Sequence, residues 1–252
     1  MFTVRQYVRA TSLHEAWELN GKRVNSIIGG MGWMKMTRAD LSTAIDLSDL
    51  GLDTIEETAD EFIIGAMTTL RSFELHEGFN EYFNNAAREA VRHIVGVQFR
   101  NCATIGGSVW LRPGFSDIIT LLQALDTSVE LYSGTDMHEF LPLNEFVMTK
   151  KDNSIIVAVH VKKDGRKVSY KSFRNTETDF PVLAVAVSKK DNIYTAGVGA
   201  RPSVARAVSS DNTDDLKVAA AALTYSKNIR GSAEYRRMLS GVLIDRALKE
   251  LD

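Results

Sequence analysis

Two pairs of adjacent glycines, Gly29-Gly30 and Gly106-Gly107, are the places where this chain's residue types point to chemistry. The second pair lies in Thr104-Ile105-Gly106-Gly107-Ser108, with hydroxyl side chains on both flanks. Glycine accepts positive φ and has no Cβ to hold a ligand away from the backbone. Successive amides in such a turn form a concave cluster of N–H donors suited to an anion. The first pair sits in Gly29-Gly30-Met31-Gly32, again after a strand-like run. Each pair could offer amides to one half of a pyrophosphate, and each could equally be an ordinary turn. Ser116 and Asp117 open a helical pattern just beyond the second pair. A carboxylate there either complements the helix dipole or accepts hydrogen bonds from sugar-type hydroxyls.

Other routes to chemistry are missing. The five histidines, at positions 14, 76, 93, 138 and 160, show no His-x-x-x-His spacing, so no metal site is expected. No Gly-x-Ser-x-Gly elbow or Walker loop occurs. Cys102 is the only cysteine, so the chain cannot build a disulfide framework or an all-cysteine iron–sulfur cluster by itself. It reads as a small buried packing residue, with a reactive thiol as the alternative. No catalytic side chain is expected. By elimination, chemistry belongs to a bound cofactor that the protein positions.

A net charge of −2 and a pI near 6.2 leave no electrostatic footprint for nucleic acid. No apolar run approaches a membrane span. The first residues lack the basic-then-apolar layout of a signal peptide, and a cytoplasmic location is expected. With 44% hydrophobic and 25% charged residues, the composition is that of a globular protein able to bury a core.

The elements that must position the glycine pairs follow from periodicity. Residues 2–9 alternate as a strand, Ser12 and Glu15 form a capping-box pattern, and Asn20-Gly21 ends a helix. Val24–Ile28 and Ala44–Leu47 read as further strands, so the first fifty residues run β-α-β-loop-β with Gly29-Gly30 where the second strand ends. Thr54–Ala59 and Glu61–Ile64 resemble a hairpin. Phe83, Ala86, Ala87, Ala90 and Ile94 make a helical stripe, as do Ile118, Leu121, Leu122 and Leu125 after Ser116. Residues 104–108 read as a loop between them. From about residue 154 the texture changes to strand pairs (Ser154–Val161 with Val168–Phe173, then Pro181–Ser188 with Asn192–Gly199) and two closing helices, after Thr213 and Ser232. The class is α+β: subdomains over about 1–52 and 53–153, then an antiparallel-sheet-plus-helices domain over 154–252.

Three stretches resemble the flavin-binding medium subunit of the molybdenum hydroxylases, the xanthine dehydrogenase and carbon monoxide dehydrogenase family. They are Ile27-Ile28-Gly29-Gly30-Met31-Gly32-Trp33, then Arg100-Asn101-Cys102-Ala103-Thr104-Ile105-Gly106-Gly107-Ser108 with Ser116-Asp117, and Ile229-Arg230-Gly231-Ser232-Ala233-Glu234-Tyr235-Arg236-Arg237. The resemblance implies a PCMH-type FAD-binding domain of two α/β subdomains over residues 1–153 and the family's C-terminal domain over 154–252. It also implies FAD as cofactor, with Ile28, Gly29, Gly30, Met31, Gly32 and Trp33, and Thr104, Ile105, Gly106, Gly107 and Ser108, around its pyrophosphate. Asp117 would contact the same cofactor, and Arg174 or Lys171 would reach the flavin ring. The implied assembly is an oxidoreductase with a molybdenum-cofactor large subunit, acting on an N-heterocycle such as a purine, and a small subunit carrying two 2Fe–2S clusters. Electrons would pass through FAD to an acceptor such as NAD. The chain departs from the family in the first loop, where Met31 and Gly32 replace the usual Thr and Asp. Ser108 replaces Asn, and Trp110 stands where small residues are usual. These departures imply weaker FAD binding through 29–33 and a dominant role for 104–117. They also motivate two other readings, an assembly subunit of the same complex with degenerate FAD binding and a module for another diphosphate.

Overall fold

The computed structural model describes residues 2–251; Met1 and Asp252, the outermost residues of the expected domains, lie outside it. The chain builds three sheets in succession. The first uses β1 (Thr3–Arg9), α1 (Leu13–Asn20), β2 (Asn25–Ile28) and β3 (Asp40–Asp46), with parallel strands in the order β1-β3-β2. Ser12 caps α1 by accepting from the Glu15 amide at 3.1 Å, while the Glu15 carboxylate reaches back to the Thr11 amide at 2.8 Å. That satisfies two of the amide donors a helix start leaves free.

The second unit opens with β4 (Ile55–Glu57) and β5 (Glu61–Gly65), an antiparallel pair. Six short helices follow: α2 (Leu70–Leu75), α3 (Glu77–Tyr82), α4 (Ala86–Val91), α5 (Val97–Arg100), α6 (Ile105–Leu111) and α7 (Asp117–Leu122). Then come β6 (Thr127–Tyr132), β7 (Glu139–Pro142), α8 (Leu143–Phe146) and β8 (Ile155–Lys162). The five strands form an antiparallel sheet in the order β4-β5-β8-β6-β7. Phe62, Phe73, Phe79 and Phe83 pack ring on ring at its helical face. The predicted stripe from Phe83 is buried, but Asn84 and Asn85 at φ 50° and 59° break it, so α4 starts at Ala86. Tyr132, Ile155 and Val157 at the other face pack against Ala10, Ala16, Ile45 and Leu47 and join this sheet to the first unit.

The last unit contains β9 (Lys167–Phe173), β10 (Leu183–Lys190), β11 (Ile193–Gly199), β12 (Arg206–Ser210), α9 (Thr213–Ala221) and α10 (Ala233–Leu248). Its sheet is antiparallel in the order β12-β11-β10-β9. Alternation along β10 sorts its side chains by size. Leu183, Val185 and Val187 join the cluster built with α9 and α10, whereas Ala184 and Ala186 face the second unit's core. Small residues on that side let the helices of the second unit approach the sheet closely.

The α+β class expected from the sequence holds, with one difference in grouping. β8 does not pair with β9; it lies between β5 and β6 as the middle strand of the five-stranded sheet. The passage into the last sheet therefore follows Lys162 rather than Asn153. A strand buried on both faces reads the same whichever sheet receives it.

Candidate functional site

A cleft of about 900 Å³ runs between the first unit and the helices of the second, and reaches the segment after β9. That volume is at the upper end for small-molecule sites, roughly 300–1,000 Å³, and suits a ligand of dinucleotide size. Both glycine segments line it.

The glycines are required by how the two segments meet. A Cβ on Gly29 would stand 2.6 Å from the Thr104 hydroxyl, and one on Gly30 would fall on the Cys102 carbonyl. On Gly106 it would stand 2.7 Å from the Ala66 carbonyl. Real side chains do not tolerate such approaches, so Gly29 and Gly30 let the first loop lie directly on residues 102–104, while Gly106 lets α6 lie on Ala66.

The two segments differ in what they leave free. Residues 104–108 are not a loop: Thr104 caps α6, and Gly106, Gly107 and Ser108 lie in its first turns. The amide of Ile105 donates to Thr68 O at 2.9 Å, Gly106 to Ala66 O at 2.8 Å, Gly107 to Thr104 Oγ1 at 3.1 Å and Ser108 to Thr104 O at 3.0 Å. All four amides therefore have protein acceptors, which corrects the expectation that they form an open anion cradle. By contrast, among the described residues no protein acceptor meets the amides of Gly29, Gly30, Met31, Gly32 or Trp33. Met31 is held at φ 55°, a conformation that costs a non-glycine residue roughly 1–2 kcal/mol. Strain of this kind gathers where a backbone is shaped for a ligand. The first loop, expected to be the weaker partner, supplies the free donors.

Farther along, Asp117 begins α7 and is buried. Its Oδ1 accepts from the Tyr170 hydroxyl and from Arg174 Nη2 at 2.6 Å. No protein donor reaches Oδ2 among the described residues. Burial pushes the Asp117 carboxyl above the ordinary carboxylate range, with Arg174 and Tyr170 opposing the shift. Burial also works against the Arg174 charge, but Asp117 outweighs it and holds the guanidinium pKa up. Tyr170 is raised well above its usual value by burial and by Asp117. Arg174 Nη1 donates to Asp179 O at 2.7 Å, and its buried Nε has no partner. The site thus holds one carboxylate oxygen without a protein donor and one buried guanidinium N–H without an acceptor.

Aromatic rings from three separate segments close one end. Trp33 stacks on Phe180 with centroids 5.4 Å apart, Phe115 meets Phe180 at 4.1 Å, and Arg230 lies 4.9 Å over the Phe180 ring. Lys151 also lines the wall, its pKa lowered by partial burial and by Arg112.

Most of the residues expected from the sequence meet in this cleft: Gly29, Gly30, Met31, Gly32, Trp33, Thr104, Gly106, Gly107, Ser108, Asp117 and Arg174 all line it. Ile28 and Ile105 do not; both are buried core residues. Lys171 is excluded as the alternative to Arg174, because it pairs with Glu250 on the opposite face of β9. Cys102 is exposed rather than buried, and its carbonyl, not its thiol, bears on the site. Trp110 lines the wall and packs toward Phe146, 6.3 Å away. Sequence reasoning missed Phe115, Phe180, His93, Ile94, Val95 and Lys151. Only Tyr170 carried a usable signal, since period-2 alternation puts it on the same strand face as Arg174. Among the described residues no cluster of three or more His, Cys, Asp or Glu could hold a metal ion, and no helix is long and apolar enough to cross a membrane.

Residues 2–162 match the family described as FAD binding domain in molybdopterin dehydrogenase. The nicotine 6-hydroxylase medium subunit of Paenarthrobacter nicotinovorans is 27% identical, over 97% of this chain and 96% of that subunit. An uncharacterized protein of Escherichia coli K12, YgfM, is also 27% identical, over 96% of this chain and 94% of its own length. In fold, the chain is similar to a subunit of the Cu,Mo-CO dehydrogenase in its cyanide-inactivated form, with a TM-score of 0.86 at 22% identity over 98% of this chain and 97% of that one.

Proposed function

The chain belongs to the family of FAD-binding domains of molybdopterin dehydrogenases, and from that membership we propose that it carries electrons from an iron–sulfur partner to a diffusible acceptor through FAD held in the cleft. It is the FAD-binding medium subunit of a molybdenum hydroxylase-type oxidoreductase. The proposed working assembly adds a large subunit, whose molybdenum cofactor oxidises an N-heterocycle such as a purine, and a small subunit with two 2Fe–2S clusters. NAD is the proposed acceptor, and the cytoplasm the proposed location.

The residues present fit FAD. Its diphosphate needs donors, and the unpartnered amides of Gly29 to Trp33 supply them beside the Thr104 hydroxyl. Its ribityl and ribose hydroxyls need acceptors, and Asp117 Oδ2 is one. The orphaned Arg174 Nε is a donor for a ring carbonyl or nitrogen. The ring system needs apolar and aromatic walls, which Ile94, Val95, Phe99 and Phe180 give. Bound there, FAD would supply the two-electron redox chemistry, while the protein binds, orients and shields it.

The observation that carries this reading is the pairing of free amides at 29–33 with a buried Asp117–Arg174 pair in one cleft. It also weighs against an assembly subunit with degenerate binding, which rested on the missing side chains at Met31 and Gly32. What the first loop offers is main chain, and that is intact. Thermal-shift titrations with FAD, FMN and ADP test the proposal. A shift with FAD beyond that with ADP, together with a flavin absorbance spectrum after reconstitution, is expected. No shift with any of them would sink it, and equal shifts with FAD and ADP would favour a general diphosphate module.

A further inference from the structure

His93 is the only histidine among the described residues that line the cleft, and nothing above uses it. Its side chain keeps 23% exposure, and the Glu177 carboxylate lies 3.9 Å from Nδ1. Neither ring nitrogen has a protein hydrogen-bond partner among the described residues. The imidazole thus lines the cleft beside Ile94 and Val95, with both nitrogens uncommitted and part of the ring open to solvent.

Its position is built. His93 and Ile94 turn the chain out of α4, and Val95 follows at φ 52°, a conformation that β-branched residues avoid. Arg100 holds the turn: Nη1 donates to Ile94 O at 3.2 Å, while Nε and Nη2 grip the buried Glu74 at 2.8 and 3.3 Å. A strained residue and a buried ion pair therefore keep the imidazole on the wall. Five charged groups face it: Arg92 and Glu89 from α4 and its end, Arg174 and Glu177 from the segment after β9, and Asp117 from α7. Burial pushes His93 below the ordinary imidazole range, Arg92 and Arg174 push the same way, and the two glutamates oppose them. These influences bias the resting ring toward its neutral form, ready to accept a proton when negative charge enters the cleft.

Building on the reading that FAD occupies this cleft, we infer that His93 is a redox-linked proton site, taking a proton from solvent as the cofactor is reduced and returning it on reoxidation. The balance is simple. Two electrons from the iron–sulfur donor and one proton convert FAD to its singly protonated reduced form, which carries one added negative charge. A second proton, released by water or hydronium at the exposed edge of the ring, forms an N–H bond on the imidazole and offsets that charge. Reoxidation removes both electrons and both protons. Without His93 only one proton accompanies the two electrons.

The test is the midpoint potential of the FAD-loaded protein between pH 6 and 9. For a two-electron couple each coupled proton contributes about 30 mV per pH unit. The wild type should therefore fall by about 59 mV per pH unit in the window where His93 titrates, and His93→Gln by about 30 mV wherever the reduced flavin holds a single proton. Imidazole NMR of the wild-type protein in both oxidation states needs no variant and should show His93 neutral when oxidised and charged when reduced. Identical slopes in wild type and variant, or a neutral His93 in both states, would overturn the inference. A protein that binds no FAD would instead overturn the proposed function, so the two failures are distinct.

Discussion

Asp117→Asn probes the centre of the site, because Asp117 joins a buried ion pair to a free acceptor oxygen. The substitution keeps the shape but removes the charge opposite Arg174, whose side chain is only 7% exposed. Arg174 would then have only neutral acceptors, the amide oxygen at position 117 and the Asp179 carbonyl at 2.7 Å. Removing one partner of a buried pair costs about 3–5 kcal/mol, a large share of a total stability of roughly 5–15 kcal/mol. Arg174→Met should cost a similar amount, since it leaves the Asp117 charge buried with only Tyr170 beside it. The double variant Asp117→Asn/Arg174→Met buries no unpaired charge and should lose only about 1–2 kcal/mol, giving a coupling energy of at least ~4 kcal/mol. Urea denaturation of the apoprotein, followed by circular dichroism, measures all four corners of the cycle. FAD affinity separates the second role. A hydrogen bond to a charged acceptor is worth about 1.5–3 kcal/mol, so Asp117→Asn should weaken FAD binding by roughly 10- to 150-fold. The double variant should not recover that loss. Additive single effects would refute the pair, and an unchanged FAD affinity would refute the contact with the cofactor.

Three further outcomes are expected. Gly30→Ala drives a Cβ onto the Cys102 carbonyl, which is rigid backbone; it should cost about 1–3 kcal/mol and abolish the FAD-dependent thermal shift, whereas a normal shift would show that the two segments need not touch. Met31→Gly relieves a residue at φ 55° and should stabilise the apoprotein by about 0.5–1 kcal/mol after the entropic cost of glycine, read as a higher urea midpoint at unchanged slope. Glu74 is held below the ordinary carboxylate range because hydrogen bonds from Arg100 and Arg71 outweigh the opposing effect of burial. A depressed folded pKa contributes stability that is complete above the unfolded value and is lost as pH falls through the folded one. Glu74→Gln should therefore flatten the acid limb of the stability curve as pH falls below the ordinary glutamate range, and an unchanged limb would refute the assignment.

Which parts of this site could be read from residue order follows from which contacts are local. The stripe at Ile118–Leu125 and the Ser12, Ser116 and Ser232 caps are short-range patterns, and the fold keeps them; the stripe from Phe83 packs as expected but not as one helix, because Asn84 and Asn85 interrupt it. Helix α6 is different. It holds two glycines and the β-branched Ile105 and Val109, so its intrinsic propensity is poor, and it is stabilised by bonds from its first amides to Ala66 and Thr68. Those acceptors lie far back in the chain, so nothing in Thr-Ile-Gly-Gly-Ser reveals that its amides are already taken. His93 and Val95 likewise gain meaning only from Arg100 and Glu74.

The same distinction settles what the departures at Met31 and Gly32 cost. If the first loop bound through side chains, losing the usual Thr and Asp would remove most of the site. Its free groups are amides, however, and the amides are placed by three absences of side chain: at Gly29 under Thr104, at Gly30 on Cys102, and at Gly32, where a Cβ would stand 2.6 Å from the Phe99 ring. The loop can therefore exchange the side chain at position 31 and still present the same donors, provided those three glycines stay. Gly32→Asp, which restores the usual family residue, should on this argument weaken FAD binding rather than strengthen it, because the aspartate must first displace Phe99. Tighter binding by that variant would show that side chains, not main chain, carry the first loop.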